Sequence, residues 1–194
     1  MKNICASTIK LINVGIISYI MTNYREKLAE QFFLDPMRKF GVRELSRKTK
    51  MDTKTTMKYL NELAEDNVIV KKKEKGKHVH YEANISSRIY RHEKSEVVVK
   101  RILKSGVIEF LEKELRPEAI VLFGSMSHGS YHKKSDADIF VQADRKRLDL
   151  DTYDKKIGHP INLLFEKDLK KLGKWLLSSI CDGITLSGQI EVPL

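Results

Sequence analysis

One stretch limits the fold of this chain more than any other: the apolar run Ala119 to Phe123, then Gly124 and Ser125, ten further residues, and Asp136-Ala137-Asp138 leading into Ile139, Phe140 and Val141. Each apolar run has the length of a buried strand. Gly124 permits a sharp turn and a close approach of backbone to a ligand. Ser125 opens a short helical segment, and a helix start offers free N–H groups to a phosphate. Asp136 and Asp138 stand two apart at the head of the second run, which points both carboxylates to one side of a strand. Two such groups repel unless a cation lies between them. Magnesium, a hard ion that takes oxygen ligands and holds phosphates, suits that pair.

The residues from Thr22 to Asn84 follow a different rhythm. Tyr24, Leu28 and Phe32 recur at helical spacing, Asp35-Pro36 breaks the pattern, and Val42, Leu45 and Thr49 share one side of a short helix. Asp52 then reads as the N-cap of a helix over Thr53–Glu65 that buries Met57, Leu60, Leu63 and Ala64 and presents Lys54, Thr55 and Lys58 on its other face. Two β-prone runs around Lys75-Gly76 predict a hairpin. This order resembles a winged helix-turn-helix domain of the kind found in prokaryotic transcription regulators. The resemblance implies that DNA is a partner. It makes Thr53–Glu65 the recognition helix in a major groove and gives phosphate contacts to a wing carrying Lys71, Lys72, Lys73, Lys75 and Lys77. A solvated lysine hairpin in a protein-interaction module is the competing reading.

Residues 85–116 read as a helical connector, with Val98, Ile102, Val107, Phe110 and Leu111 near helical spacing and a kink at Ser105-Gly106. Pro117 ends it and opens a domain over 117–194. Residues 1–21 read as an N-terminal extension whose apolar stretch, interrupted by Asn13 and Ser18, is too short for a membrane span; Met21 is expected to be an alternative or the true start, because the recognisable domain begins just after it. The formal net charge of +10 favours polyanionic partners, and two distant cysteines read as the reduced thiols of a cytoplasmic protein. His78 and His80 share a face of a wing strand without a third ligand for zinc, so phosphate or solvent is their expected contact. Trp175, Leu176 and Leu177 are expected to pack the last helix.

Gly124, Ser125, Asp136 and Asp138, set in "FGS" and "SDADIFV", resemble the signature of minimal nucleotidyltransferases of the polymerase-β superfamily, and the ending "ICDGITLSGQIEV" is similar to that family's. The resemblance implies an α+β fold with a mixed sheet flanked by helices. It also implies a nucleoside triphosphate, ATP first, cradled by Gly124 and Ser125, with magnesium on the catalytic Asp136 and Asp138. The implied chemistry is nucleotidyl transfer to a hydroxyl of a protein or small molecule; some members are antitoxins that modify a paired toxin. A homodimer is a further expectation from the winged domain.

The third carboxylate of active members falls at Asn162, in "PINLLF". An amide oxygen can ligate a metal but brings no charge and no base. Glu166 lies on the same side of that strand but about 13 Å further along. Two functions therefore stay open: a transferase supplied with its missing acid from elsewhere, or a DNA-binding regulator whose nucleotidyltransferase-like domain senses nucleotide or docks a partner.

Overall fold

The computed structural model describes residues 24–76 and 78–191. The N-terminal extension, with both candidate start sites, and Lys77 lie outside the described residues. The chain divides into two compact units that meet in sequence between Lys94 and Ser95.

The first unit is built on three helices, α1 (Tyr24–Leu34), α2 (Val42–Thr49) and α3 (Thr53–Glu65), and a hairpin of β1 (Ile69–Lys72) and β2 (His80–Ala83). α1 buries Leu28, Ala29, Phe32 and Phe33, while Tyr24 at its first position is half exposed. α2 stops where Lys50 turns left-handed, at φ 57°, and returns its N–H to Arg47 and Ser46. α3 starts at Asp52, whose side chain accepts the Thr55 N–H at 2.9 Å. Its buried stripe is Thr56, Leu60 and Leu63, and each leucine contributes roughly 1.5–3 kcal/mol by leaving water. Met57, expected in that stripe, is 48% exposed. Thr56 takes its place because the hydroxyl is satisfied by the Asp52 carbonyl, at 2.8 Å; Met57, one residue on, is turned about 100° around the axis.

The hairpin is antiparallel from Ile69 opposite Ala83 to Lys72 opposite His80. Phe40 joins it as a single bridge to Tyr81, with both N–H···O contacts at 2.9 Å. Rings fill the centre: Phe32 meets Phe40 edge-on at 5.0 Å and Phe33 meets Tyr90 at 5.3 Å. The Arg25 guanidinium holds Glu93 at 2.8 Å and Asp66 at 2.6 Å. These bonds, Glu93 first, raise its pKa and tie α1 to the end of α3.

The expected connector is two helices, α4 (Arg88–Ser105) and α5 (Val107–Leu115). The kink at Ser105-Gly106 is a full break. Gly106 adopts φ 83°, a left-handed conformation that a side chain would resist, and the Ser105 hydroxyl accepts the Val107 N–H at 3.1 Å, which starts α5.

The second unit carries β3 (Ala119–Leu122), α6 (Gly124–Ser127), β4 (Ala137–Val141), α7 (Asp151–Ile157), β5 (Ile161–Phe165), a single 3-10 turn at Leu169–Lys171, α8 (Lys174–Cys181) and β6 (Ile184–Gly188). The sheet order is β5-β4-β3-β6, with β4 parallel to β5 and β3 antiparallel to both its neighbours. It is the mixed, helix-flanked sheet of an α+β chain. Ile120, Leu122, Ala137, Ile139 and Val141 face a core shared with Val98, Ile102, Val107 and Leu111. Val121 and Phe140 face the other way, against Leu169 and Ile180. Leu176 and Leu177 pack on that second cluster, but Trp175 is 82% exposed. Its position in α8 lies outside the strip that Leu176, Leu177 and Ile180 turn to the sheet. No helix among the described residues is long and apolar enough to cross a membrane.

Candidate nucleotide site and nucleic-acid interface

β3 delivers the chain to the corner where the motif residues meet. Phe123, just past the strand, donates its N–H to the Asp138 carbonyl at 2.9 Å. Gly124 then turns at φ 71°, and a Cβ built there would lie 2.8 Å from Asp138 Oδ2. Glycine is required twice over, by the backbone angle and by the carboxylate it abuts. α6 has only four residues. Its start is braced by the Ser127 hydroxyl on the Gly124 carbonyl (2.8 Å), and its end by the Ser95 hydroxyl on the Ser127 carbonyl (3.0 Å). The carbonyl of half-buried Ser125 accepts the Ser130 N–H at 3.0 Å.

Alternation along β4 sends Ala137, Ile139 and Val141 into the core, which leaves Asp138 on the face of Phe140. Asp138 is half-buried and Asp136, just ahead of the strand, is exposed. Asn162 is the register partner of Asp138 on β5, and its Nδ2 donates to Asp138 Oδ1 at 2.9 Å. The expected third position thus lies beside the pair, holding an amide. Glu166 follows Phe165, which pairs with Val141 at the opposite end of β4, and its side chain accepts the Asp168 N–H at 3.0 Å. Asp154, on α7, accepts the Ile161 N–H at 3.0 Å and so holds the start of β5.

A positioning residue that sequence reading missed is His159. It is buried, its Nδ1 lies 2.9 Å from the Ser135 carbonyl, and its ring meets Tyr131 edge-on at 5.6 Å. Next to it the Ala137 N–H reaches the Pro160 carbonyl at 2.7 Å. Together these contacts fix the approach to Asp136. No local pattern marks His159, because its role depends on a loop that precedes it by more than twenty residues.

The donor set tests the implied cofactors. Asp138 keeps Oδ2 toward the Gly124 cradle while Oδ1 is occupied by the amide. Asp138 and the exposed Asp136 two residues before it are carboxylates of the kind a hard divalent cation takes, and the start of α6 at Gly124 is the kind of backbone that takes phosphate. A second cation would need a third carboxylate. Among the described residues no group of three or more His, Cys, Asp or Glu side chains could hold a metal.

In the first unit, Lys54 and Lys58 are exposed on α3 with Thr55 half-exposed between them. Lys58 also reaches Glu62, at 3.8 Å, and its ammonium lies 5.3 Å from the Tyr59 ring. The hairpin is less uniformly cationic than its sequence. Lys72 is bound to Glu82 at 2.5 Å, and Lys39, on the chain before α2, reaches Glu74 and Glu82 at 3.3 and 3.4 Å. Lys72 first, then Lys39, holds the Glu82 carboxyl below its ordinary range. Glu74 first, then Glu82, raises Lys39. Lys71, Lys73 and Lys75 remain exposed.

Two family models match this arrangement. Residues 105–174 match "Polymerase beta, Nucleotidyltransferase", and residues 42–120 match "Penicillinase repressor". The chain joins a repressor-type winged helix to a nucleotidyltransferase domain. No curated protein and no solved structure gives a significant match. The nucleotidyltransferase match opens at the Ser105-Gly106 break and takes in Gly124, Ser125, Asp136, Asp138 and Asn162. The repressor match opens at α2, takes in α3 and the hairpin, and runs through α5 into β3.

Proposed function

We propose that the protein is a DNA-binding regulator whose nucleotidyltransferase domain takes up a nucleoside triphosphate, ATP first, with magnesium, and is held short of efficient transfer by Asn162. The observation that carries this is the 2.9 Å bond from the Asn162 amide to Asp138 Oδ1. In that bond the amide is a donor directed at the carboxylate, where a transferase would place an acid. Asp136 and Asp138 would hold the magnesium, which screens the triphosphate and polarises its phosphorus when bound. Gly124 lets the backbone pass close against the Asp138 carboxylate, and the N–H groups at the start of α6 would take the phosphates. Asn162 cannot accept the proton of an attacking hydroxyl.

On the DNA side, Lys54, Thr55 and Lys58 meet the major groove while Lys71, Lys73 and Lys75 meet phosphates. Lys72 contributes less, because Glu82 holds it. Such a protein acts in the cytoplasm, where DNA and nucleotide are both at hand, and it binds DNA as a homodimer.

The family match to residues 105–174 is to a nucleotidyltransferase, and a second reading is therefore transfer itself, to a hydroxyl of a small molecule or of a partner protein such as a paired toxin. That reading needs an acid from outside the corner. ATP labelled at the α-phosphate, magnesium and a lysate of the source cells separate the two. Silence from the native chain, with transfer appearing in Asn162→Asp, supports the regulator. Label passed by the native chain and lost in Asp138→Ala overturns it and identifies the acceptor.

A further inference from the structure

Among the described residues β5 is an end strand and pairs with β4 alone, which leaves its outer edge open there. The Pro160 carbonyl is turned to β4, where it accepts the Ala137 N–H at 2.7 Å. Backbone groups alternate in direction along a strand, so those of Ile161, Leu163 and Phe165 point away from β4. The Ile161 N–H is taken by Asp154 Oδ1 at 3.0 Å. The N–H and C=O groups of Leu163 and Phe165 have no hydrogen-bond partner among the described residues. An unpaired edge of this kind is a template for another strand.

A cavity of about 470 Å³ lies along that edge, lined by Leu163 and Phe165 on one side and by the irregular segment Arg145 to Leu150 on the other. Leu148 and Leu150 make it apolar; Arg145, Lys146 and Arg147 make it cationic. Lys146 is paired with Glu114 at 2.7 Å, whereas Arg145 and Arg147 are exposed and have no carboxylate partner among the described residues. The acids that flank them are engaged elsewhere: Asp144 holds Lys167 at 3.2 Å, and Asp149 accepts the Asp151 N–H at 3.1 Å.

We propose that the β5 edge takes up an extended segment of a partner protein by strand addition, a segment that carries both apolar and acidic residues on the one face it turns to the cavity, at every second position. Backbone bonds to Leu163 and Phe165 supply its register. Apolar side chains enter the cavity between Leu148 and Leu163, and carboxylates meet Arg145 and Arg147. A second copy of this chain fits the edge poorly. β5 against β5 would set two pairs of arginines at one seam, in a chain whose formal charge is already +10. The inference stands apart from the nucleotide corner, which lies on the opposite face of the sheet.

The test uses the full chain and a fluorescein-labelled heptapeptide in which valine and glutamate take turns at the odd positions, with threonine between them, read by fluorescence anisotropy, with amide exchange followed by NMR. Saturable binding is expected, with slowed exchange at Leu163 and Phe165. A loss of at least about tenfold is expected in each of three comparisons: the peptide N-methylated on its strand-facing nitrogens, the peptide with lysine in place of glutamate, and the Arg145→Glu/Arg147→Glu chain. Absence of saturable binding overturns the proposal. So does equal binding of the N-methylated peptide, since charge alone would then be responsible. If the chain by itself protects Leu163 and Phe165 as its concentration rises, the occupant is a second copy and the proposal fails.

Discussion

Charge is settled in opposite ways in the wing and in the β4-β5 corner. In the wing each carboxylate sits among lysines: Glu82 lies between Lys72 and Lys39, and Glu74 faces Lys39. In the corner Asp138 is met by a neutral amide and Asp136 stands exposed ahead of its strand. The wing has therefore spent part of its positive charge internally, and its capacity for a polyanion rests on the lysines left over. The corner has left its negative charge uncompensated, which suits a cation brought in with a ligand.

The sharpest way to break the corner is Gly124→Ala. Its Cβ would stand 2.8 Å from Asp138 Oδ2, at a φ of 71°. Left-handed backbone alone costs about 1–2 kcal/mol, and the displaced carboxylate is expected to weaken magnesium-nucleotide binding by roughly a hundredfold. Titration calorimetry with ATP and magnesium reads the loss; unchanged affinity would remove Gly124 from the site. For the wing, the matching test is the triple change of Lys71, Lys73 and Lys75 to Ala. DNA affinity is expected to fall, and the slope of log affinity against log salt to shrink by about 0.9 per lost phosphate contact. A slope equal to the native one would take the wing off the DNA.

Asn162→Asp would give the corner a third carboxylate opposite Asp138. Without magnesium the like charges cost up to about 1 kcal/mol, seen as a lower urea midpoint. Added magnesium should raise the variant's midpoint more than the native one's. Equal response would mean that residue 162 does not share the cation. In the wing, Glu82→Gln has the converse effect: it frees Lys72 and Lys39, and DNA binding should tighten a few-fold with a steeper salt slope. The same carboxyl gives the smallest effect. Its folded value is below the ordinary 4.5, so its contribution is complete above that pH and is lost as acid carries the pH down through the folded value. Wing amides should then exchange faster in the native chain but not in Glu82→Gln.

The α3 helix was legible end to end, because Asp52 marks its start and its limits, Thr53–Glu65, follow from the periodicity. Its phase was less so, since a buried threonine satisfied by the Asp52 carbonyl reads in sequence as polar surface, and an exposed methionine, Met57, reads as core. The pairing of Asn162 with Asp138 could be expected only through the family resemblance, which puts the third carboxylate at that position. The direction of the amide could not, because it depends on a cross-strand contact. The same holds for Lys72, whose partner Glu82 is ten residues away across the hairpin. Trp175 misled for a simpler reason: a large apolar side chain is usually buried, and its helix turns Leu176, Leu177 and Ile180 inward instead.

β4 serves two tasks with adjacent residues, Ile139 for the core and Asp138 for the corner. A slip of one position against β3 would exchange them, placing a carboxylate in an apolar interior and an isoleucine opposite Asn162. Burying that charge unpaired would cost several kcal/mol, so a wrongly registered chain could not linger as a stable but inactive form. Quality control of folding and spacing of the chemistry are thus one constraint.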